Sequence, residues 1–422
     1  MTRTKKGVTI LVGALLAAPM AMAGCSSSSG ASGSSGPAVI TFSSWHFAEP
    51  GRGDALKKII DSFNASQKDV KVNPVSIPYP NYASTVLTQL GAGAGADVVD
   101  IENAPWAAGV EKHVFADISG KVATPPGGFV PADKVASVGG KRYGVVYETA
   151  NYALIINQDL LDKTGMAAPQ NFDQFVAVAK AMTDTSKQQY GFAFRSTMAE
   201  QSGWWSDLCN FVYGNGGRWT DGSGSPTIDS PQVIKGIEEY KNVFDHFVPQ
   251  GAPAATYRQM FWEGKVGMEI DNMAVPSIFL SKNPQMHLTV VPNPFPNPEN
   301  SSILEFMAVN HSSKNIQADL KFLNYMLQSD VQKQLSKAMN YAGMATQIDW
   351  GNQPPSDMPP WRDTYAKISV HGVPQEPQGA ETQTSAIQTA VLSEVDKVLR
   401  QSKDPAAAMA DAQAAVAKLL KK

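Results

Sequence analysis

Planar polar groups and aromatic rings recur together where apolar, β-rich runs of this chain end. Ser43-Ser44-Trp45-His46-Phe47 follows the first such run, and Glu102-Asn103-Ala104-Pro105-Trp106 follows the third. Tyr147-Glu148-Thr149-Ala150-Asn151-Tyr152 lies in an extended stretch mid-chain. Arg195 closes a fourth run and is followed by Glu200-Gln201-Ser202-Gly203-Trp204-Trp205; Asp271-Asn272 closes a fifth. In open doubly wound sheets ligands bind beyond the carboxyl ends of strands, so these groups are the ones a ligand would meet. The mixture suits a sugar. Pyranose C–H faces pack on aromatic rings, and vicinal hydroxyls pair with carboxylates, amides and guanidinium groups. A metal would call for converging His and carboxylates without Trp, and a phosphate for Arg, Lys or glycine-rich amides.

Each of these residues also has a plainer reading. Trp106, two places into a helix, and Trp262 suit a core. Trp204 and Trp205 are adjacent on one helix, so one can face a cleft while the other packs. His46 is either a packed histidine or a contact; Glu148 and Asn151 either grip a ligand or bond the backbone of a crossing. Cys209 sits in an apolar helix and reads as a small buried hydrophobe. Catalytic motifs do not show. The chain has no HExxH, Walker-type loop, GxGxxG or GxSxG, and its six histidines are scattered. Glu238-Glu239 diverge on a helix and read as a solvated face. A pair of glycosidase carboxylates stays open as an alternative.

The elements that must position these groups alternate. Val39 to Phe42 is strand-like; Leu56, Ile59, Ile60 and Phe63 form a helical stripe. Val70 to Ile77 is a strand whose Pro74 suggests an edge or a bulge. A helix over Tyr82 to Leu90, a GAGAGA turn at Gly91 to Ala96, a strand over Asp97 to Ile101 and a Pro105-started helix follow. The rhythm resumes with extended segments at Tyr143 to Tyr147 and Leu154 to Ile156 and a helix capped by Asn171. Strands at Gly191 to Phe194, Val266 to Ile270, Leu288 to Val291 and Phe306 to Val309 alternate with helices, and two helices end the chain. The pattern predicts an α/β protein of two doubly wound lobes joined by a hinge of several crossings. The crossings fall near Tyr147 to Asn151, Pro292 to Pro298 and Tyr341 to Ala345. Lobe I is read as residues 38–148 and 293–340, and lobe II as 149–292 and 341–422.

Composition narrows the function. The 422 residues are 43% hydrophobic and 17% charged, which suits a large core and not a disordered chain. With 35 basic and 38 acidic residues, no cationic surplus exists for a nucleic acid. Two cysteines, Cys25 and Cys209, exclude a disulfide scaffold and a cysteine-rich zinc site. The first 24 residues read as a secretory signal: Arg3, Lys5 and Lys6, an apolar run over Val8 to Ala18, then small residues. Met22-Ala23-Gly24-Cys25 resembles a bacterial lipoprotein box, which implies that Cys25 carries a diacylglycerol. Residues 25–37, rich in Ser and Gly, would tether the folded part to the membrane.

In order along the chain, four segments resemble the extracellular solute-binding proteins of ABC importers, the sugar-binding family that includes maltose-binding protein. Ala96-Asp97-Val98-Val99 with Ala104-Pro105-Trp106 is similar to that family's "PDV…W". Tyr143-Gly144-Val145-Val146-Tyr147-Glu148 with Leu154 to Leu161 is similar to "YGVPYE…LyYNKDLl". Phe261-Trp262-Glu263-Gly264-Lys265-Val266-Gly267-Met268 is similar to "F..GKaAM", and Asp330 to Gly343 to a late segment. Two positions depart from the family. Asn272-Met273-Ala274 stands where many members carry Trp, and Leu304-Glu305 where several have Gly-Gly, which makes Glu305 a further candidate contact.

The resemblance implies a type II periplasmic-binding-protein fold, a cleft that closes on a sugar or oligosaccharide, permease partners in the cytoplasmic membrane and no bond breaking. The expected contacts are Trp45, His46, Glu102, Asn103, Glu148, Asn151, Trp204, Trp205, Asp271, Asn272 and Glu305. A monomer on the extracellular face of a bacterial cytoplasmic membrane, without cofactor or metal, is expected. Receptors for a polyol, a glycerol-phosphate or a peptide, or a secreted glycan hydrolase, are the alternatives.

Overall fold

The computed structural model describes residues 36–49, 51–351 and 354–421. The signal, lipoprotein-box and most of the tether readings, Cys25 included, lie outside the described residues. Among the described residues ten strands run in chain order: β1 (Ala38–Ser44), β2 (Val70–Ser76), β3 (Val98–Glu102), β4 (Ser137–Val138), β5 (Lys141–Arg142), β6 (Val145–Asn157), β7 (Met268–Asn272), β8 (Leu288–Val291), β9 (Asn300–Val309) and β10 (Gly372–Pro374). Eight of them form one curled sheet in the order β2-β1-β3-β9-β6-β7, with β10 added to β9 and β8 to β6; β4 and β5 pair separately.

Two long strands give this sheet its two-lobed character. β6 pairs with β9 from Val145 to Asn151, then changes neighbours and pairs with β7 and β8 from Tyr152 to Asn157. β9 pairs with β3 over Glu305–Val309 and with β10 over Asn300–Ser302. Each half is covered on both faces. The first half packs the Arg52–Ser66 and Ile316–Met326 helices on one side and the Tyr79–Gly91 and Asn103–Glu111 helices on the other. The second half packs the Phe172–Met182, Gln201–Gly214 and Thr384–Gln401 helices on one side and Ala254–Trp262 with Val275–Lys282 on the other. Helices on both faces of a largely buried sheet are the expected α/β arrangement.

Local signals act as read. Leu56, Ile59, Ile60 and Phe63 are buried. Asn171 Oδ1 accepts from the Gln174 N–H at 3.0 Å and caps its helix. Pro74 lies in β2, the sheet's edge strand, where a missing donor costs no ladder bond. Gly93 (φ 69°) and Gly95 (φ 93°) take left-handed backbone in the GAGAGA turn.

Three readings change. The two extended segments around Tyr147 are one 13-residue strand, because its apolar residues are buried across both lobes. Gly191 to Phe194 is not a full strand: Ala193 makes an isolated bridge to Glu269, and Tyr190 just before it makes one to Val266. Pro292 to Pro298 is not the passage between lobes. Phe295 in it packs on Phe211, 4.9 Å between ring centroids, and the Asn297 N–H donates to the Gly214 carbonyl at 2.9 Å. The prolines deny this segment ladder hydrogen bonds, so it lies against one lobe and β9 makes the crossing. Tyr341 to Ala345 does touch the hinge: Gly343 bridges to Thr149 on β6.

Candidate functional site

Register builds the centre of the site. Glu305 on β9 stands opposite Glu102 on β3 and opposite Glu148 on β6. Directly opposed residues share a face, so three glutamates form a row across three adjacent strands, an arrangement that is unfavourable on its own. Ser44 ends β1 and caps the turn that carries His46 over this row. His46 is fully buried, with Nε2 3.2 Å from Glu305 Oε2, 3.3 Å from Glu148 Oε2 and 3.7 Å from Asp100 Oδ2. On its other side Nδ1 lies 3.4 Å from Arg52 Nη1.

Charge in this cluster is unevenly matched. Burial lowers the His46 pKa, but hydrogen bonds to Glu148 and Glu305 outweigh it and hold the imidazole up at about 10. Burial raises Glu305, and the His46 imidazolium more than offsets this and holds the carboxyl below its usual range. Glu102 is pushed up to about 7 by burial and then by Glu305, and Asp100 is pushed well up by burial and Glu305. His46, Glu148 and Glu305 bring ligand atoms within 4.8 Å of one another, a spacing that a divalent cation can bridge. A protonated imidazole has no lone pair to offer, so at neutral pH the histidine itself supplies the positive charge.

Beside this buried cluster runs a cleft of about 860 Å³, which Trp45, packed on His46, and Tyr79, bonded to Glu102, help to line. Trp45, Arg52 and Tyr79 line it from one lobe, and Ala274, Ser277 and Ile278 from the other. Trp45 packs on His46 (centroids 3.8 Å apart) and against Tyr79 (4.9 Å), and the Tyr79 hydroxyl donates to Glu102 Oε1 at 2.9 Å. Asn103 Nδ2 donates to Glu376 Oε2 at 2.8 Å, linking the end of β3 to the segment after β10. Several buried polar atoms here have no hydrogen-bond partner: Trp45 Nε1, Asp100 Oδ1, Asn103 Oδ1 and Tyr147 Oη; Glu148 Oε2 has only the His46 Nε2 that it shares with Glu305. Buried polar groups are normally paired, so such a concentration marks a place made for something else.

The structure thus brings Trp45, His46, Glu102, Asn103, Glu148 and Glu305 together and separates the others from them. Asn151 lies three residues beyond Glu148, so strand alternation sends it to the opposite face. There it lines a second cavity of about 330 Å³ with Thr149, Ser302, Gly343 and Tyr365. Asp271 is buried in an ion cluster with Arg258 and with Arg195, 3.6 Å away. Burial raises its carboxyl, but the two guanidinium groups prevail and keep it below the usual range. Asn272 Oδ1 accepts from the Ala274 N–H at 3.0 Å and serves the turn.

Trp204 and Trp205 do not divide between cleft and core, because both are fully buried. Trp205 stacks on Trp219 at 4.4 Å and donates to the Gln375 carbonyl at 2.8 Å. Their helix is buried continuously from Trp204 to Gly214 and has no face left for a ligand. Trp106 packs on Phe306 at 4.6 Å, and the Cys209 thiol is pushed up to about 12 by burial, both as core residues. Tyr79, Arg52, Asp100 and Glu376 escaped the sequence reading. Tyr79 follows the end of β2 and obeys the strand-end rule. Asp100 is hidden within an apolar run, and Arg52 and Glu376 are placed only by tertiary contacts.

The sequence profile of the bacterial extracellular solute-binding proteins matches residues 48–333. This chain belongs to that family. A curated relative, the putative ABC transporter periplasmic-binding protein YcjN of Escherichia coli K12, is 22% identical over 298 residues, 67% of each chain. Among solved structures, the cyclic α-maltosyl-1,6-maltose binding protein of Arthrobacter globiformis superposes with a TM-score of 0.80 at 18% identity, covering 92% of this chain and 100% of that one. The GacH receptor of Streptomyces glaucescens, solved unliganded and with acarbose, gives 0.73 at 20% identity, covering 92% and 99%. The solute-binding protein described here therefore shares their two-lobed fold. Among its described residues no helix is long and apolar enough to cross a membrane.

Proposed function

We propose that this solute-binding protein captures a sugar or oligosaccharide between its lobes, without breaking a bond, and delivers it to an ABC importer. Cys25 would carry the lipid that holds it at the extracellular face of the membrane. The observation that carries the reading is the aromatic pair Trp45 and Tyr79 on the cleft wall, backed directly by the buried polar cluster of His46, Glu102, Glu148 and Glu305. Trp45 and Tyr79 would pack on a pyranose face while Glu102, Glu148, His46 and Glu305 order its hydroxyls. Lobe closure turns on β6 and β9, and we place the changeovers near Asn151 and Ser302 rather than at 293. The bound solute and the Asn103–Glu376 bond would favour the closed form, and the permease would read that form.

Calorimetric titration against a panel of saccharides and polyols, with a parallel assay for reducing ends, tests this. At least one saccharide binds, Trp45→Ala lowers its affinity by ~2–4 kcal/mol, and no reducing ends appear. Binding unaffected by Trp45→Ala, or turnover above blank, overturns the reading.

A further inference from the structure

Resting on the reading of the cleft as a saccharide site, we infer that its solute is an acidic saccharide whose ring lies on Trp45 and Tyr79 and whose carboxylate is held by the Arg52 guanidinium. The ground for this is the charge on the walls that a ligand would touch. Among the described residues that line the cleft, Arg52, Lys58 and Lys337 are basic and only Glu49 is acidic. Lys337 is paired with Asp357 at 2.9 Å, and Asp54, on the helix that carries Arg52 and Lys58, turns to Lys57 at 3.7 Å. No carboxylate among the described residues comes within ion-pair distance of Arg52 or Lys58, Glu49 included. The wall opposite, with Ala274, Ser277 and Ile278, brings no charge that could answer them. The chain as a whole has 38 acidic residues against 35 basic ones, so cations left without partners in this cleft do not follow from composition.

The surroundings of Arg52 sharpen the point. It opens the Arg52–Ser66 helix, is half-buried, and meets His46 at hydrogen-bond range, Nη1 to Nδ1 at 3.4 Å. A neutral imidazole could accept a bond there. Glu148 and Glu305 bond the far side of the ring through Nε2 and hold it protonated, so at neutral pH two donors face each other. The five N–H groups of the guanidinium then find no side-chain acceptor among the described residues. A carboxylate supplies what is missing, two coplanar oxygens at the spacing of the guanidinium fork. Position agrees. Trp45 and Arg52 flank the same histidine, the indole packed on its ring with centroids 3.8 Å apart. A pyranose lying on the indole therefore has its ring substituents beside the guanidinium. Trp45 Nε1 is a further donor without an acceptor, and Glu102, the acid behind Tyr79, is engaged by the Tyr79 hydroxyl at 2.9 Å. Hydroxyl groups would use these donors and leave the cations unanswered. A phosphate ester would bring about two negative charges at neutral pH, whereas Arg52 and Lys58 set against Glu49 leave one to be neutralised.

The experiment titrates the purified chain at pH 7 with matched probes. These are oligouronides of galacto, gluco and manno configuration, each beside its methyl ester and its carboxyl-reduced neutral counterpart, together with hexose 6-phosphates and citrate. At least one oligouronide binds about tenfold or more tightly than its ester and its neutral counterpart, and the preference shrinks in about 0.5 M sodium chloride. Arg52→Gln removes the preference. Lys58→Gln weakens it about threefold and, at an exposed position, keeps the test open should Arg52→Gln fold poorly. Esters or neutral saccharides binding as tightly as the acids would overturn the acid assignment and leave the saccharide reading standing. An acid preference that survives both substitutions would overturn the assignment to this wall, and hexose phosphates binding more tightly than every uronide would overturn the carboxylate. Citrate matching the oligouronides, or no saccharide binding at all, would overturn both readings.

Discussion

Replacing His46 by glutamine should remove a pH dependence of stability that the buried cluster creates. The imidazole rises from 6.5 in the unfolded chain to about 10 in the folded one. The folded state therefore holds one more proton between these values. Its contribution is complete below pH 6.5 and is lost as pH rises through 10. At about 1.4 kcal/mol per pH unit the coupling has a ceiling of roughly 5 kcal/mol, comparable with the 3–5 kcal/mol typical of breaking a buried pair. Glu102 has the same sense lower down, since its carboxyl rises from 4.5 to about 7, and the Cys209 thiol rises from 9.0 to about 12 above. Asp100 and Glu269, whose carboxyls burial also holds well up, act in the same direction, so the histidine is read by difference: from about pH 7 to 8.5 wild type should lose about 2 kcal/mol more than the variant. Urea unfolding followed by tryptophan fluorescence reads this directly. His46→Gln should be less stable at pH 7 and have a correspondingly shallower slope over the interval. The slope, unlike the offset, is unaffected by repacking around glutamine. A flat wild type, or a variant with the wild-type slope, would refute the idea that His46 is held charged by Glu148 and Glu305.

Trp205→Phe should destabilise the fold by ~1–3 kcal/mol, because the Gln375 carbonyl loses its buried donor, while saccharide affinity stays at the wild-type value; a selective loss of binding would return this tryptophan to the cleft. Cys25→Ala should abolish lipid labelling and globomycin-sensitive processing of the precursor; normal labelling would exclude the lipid anchor. Small-angle scattering with a binding saccharide should show a smaller radius of gyration than without it, and an unchanged radius would mean a preformed cleft.

Much was legible in the residues alone. The alternation of strands and helices, the edge proline, the Asn171 cap and the crossing at Tyr147 to Asn151 are local signals, each written within a few positions and acting within a few ångströms. Strand ends carrying Trp45, His46, Glu102 and Asn103 were readable because a doubly wound sheet exposes those ends whatever the rest of the chain does. What stayed hidden depended on distance along the chain. Glu305 meets Glu102 and Glu148 only because β9 arrives between β3 and β6 from more than 150 residues further along the chain in one particular register. A slip of one residue would have sent it to the other face. Burial was equally undecidable for the tryptophans. Trp204 and Trp205 share a strong pattern with any cleft-facing pair, but their helix is packed between other helices and β9 on all sides, whereas the turn bearing Trp45 ends at an open edge between lobes. Sequence sets what each segment is and which way its residues alternate. Which residues converge, and which stay in contact with water, follows from long-range strand pairing and layer packing, and no local pattern encodes those.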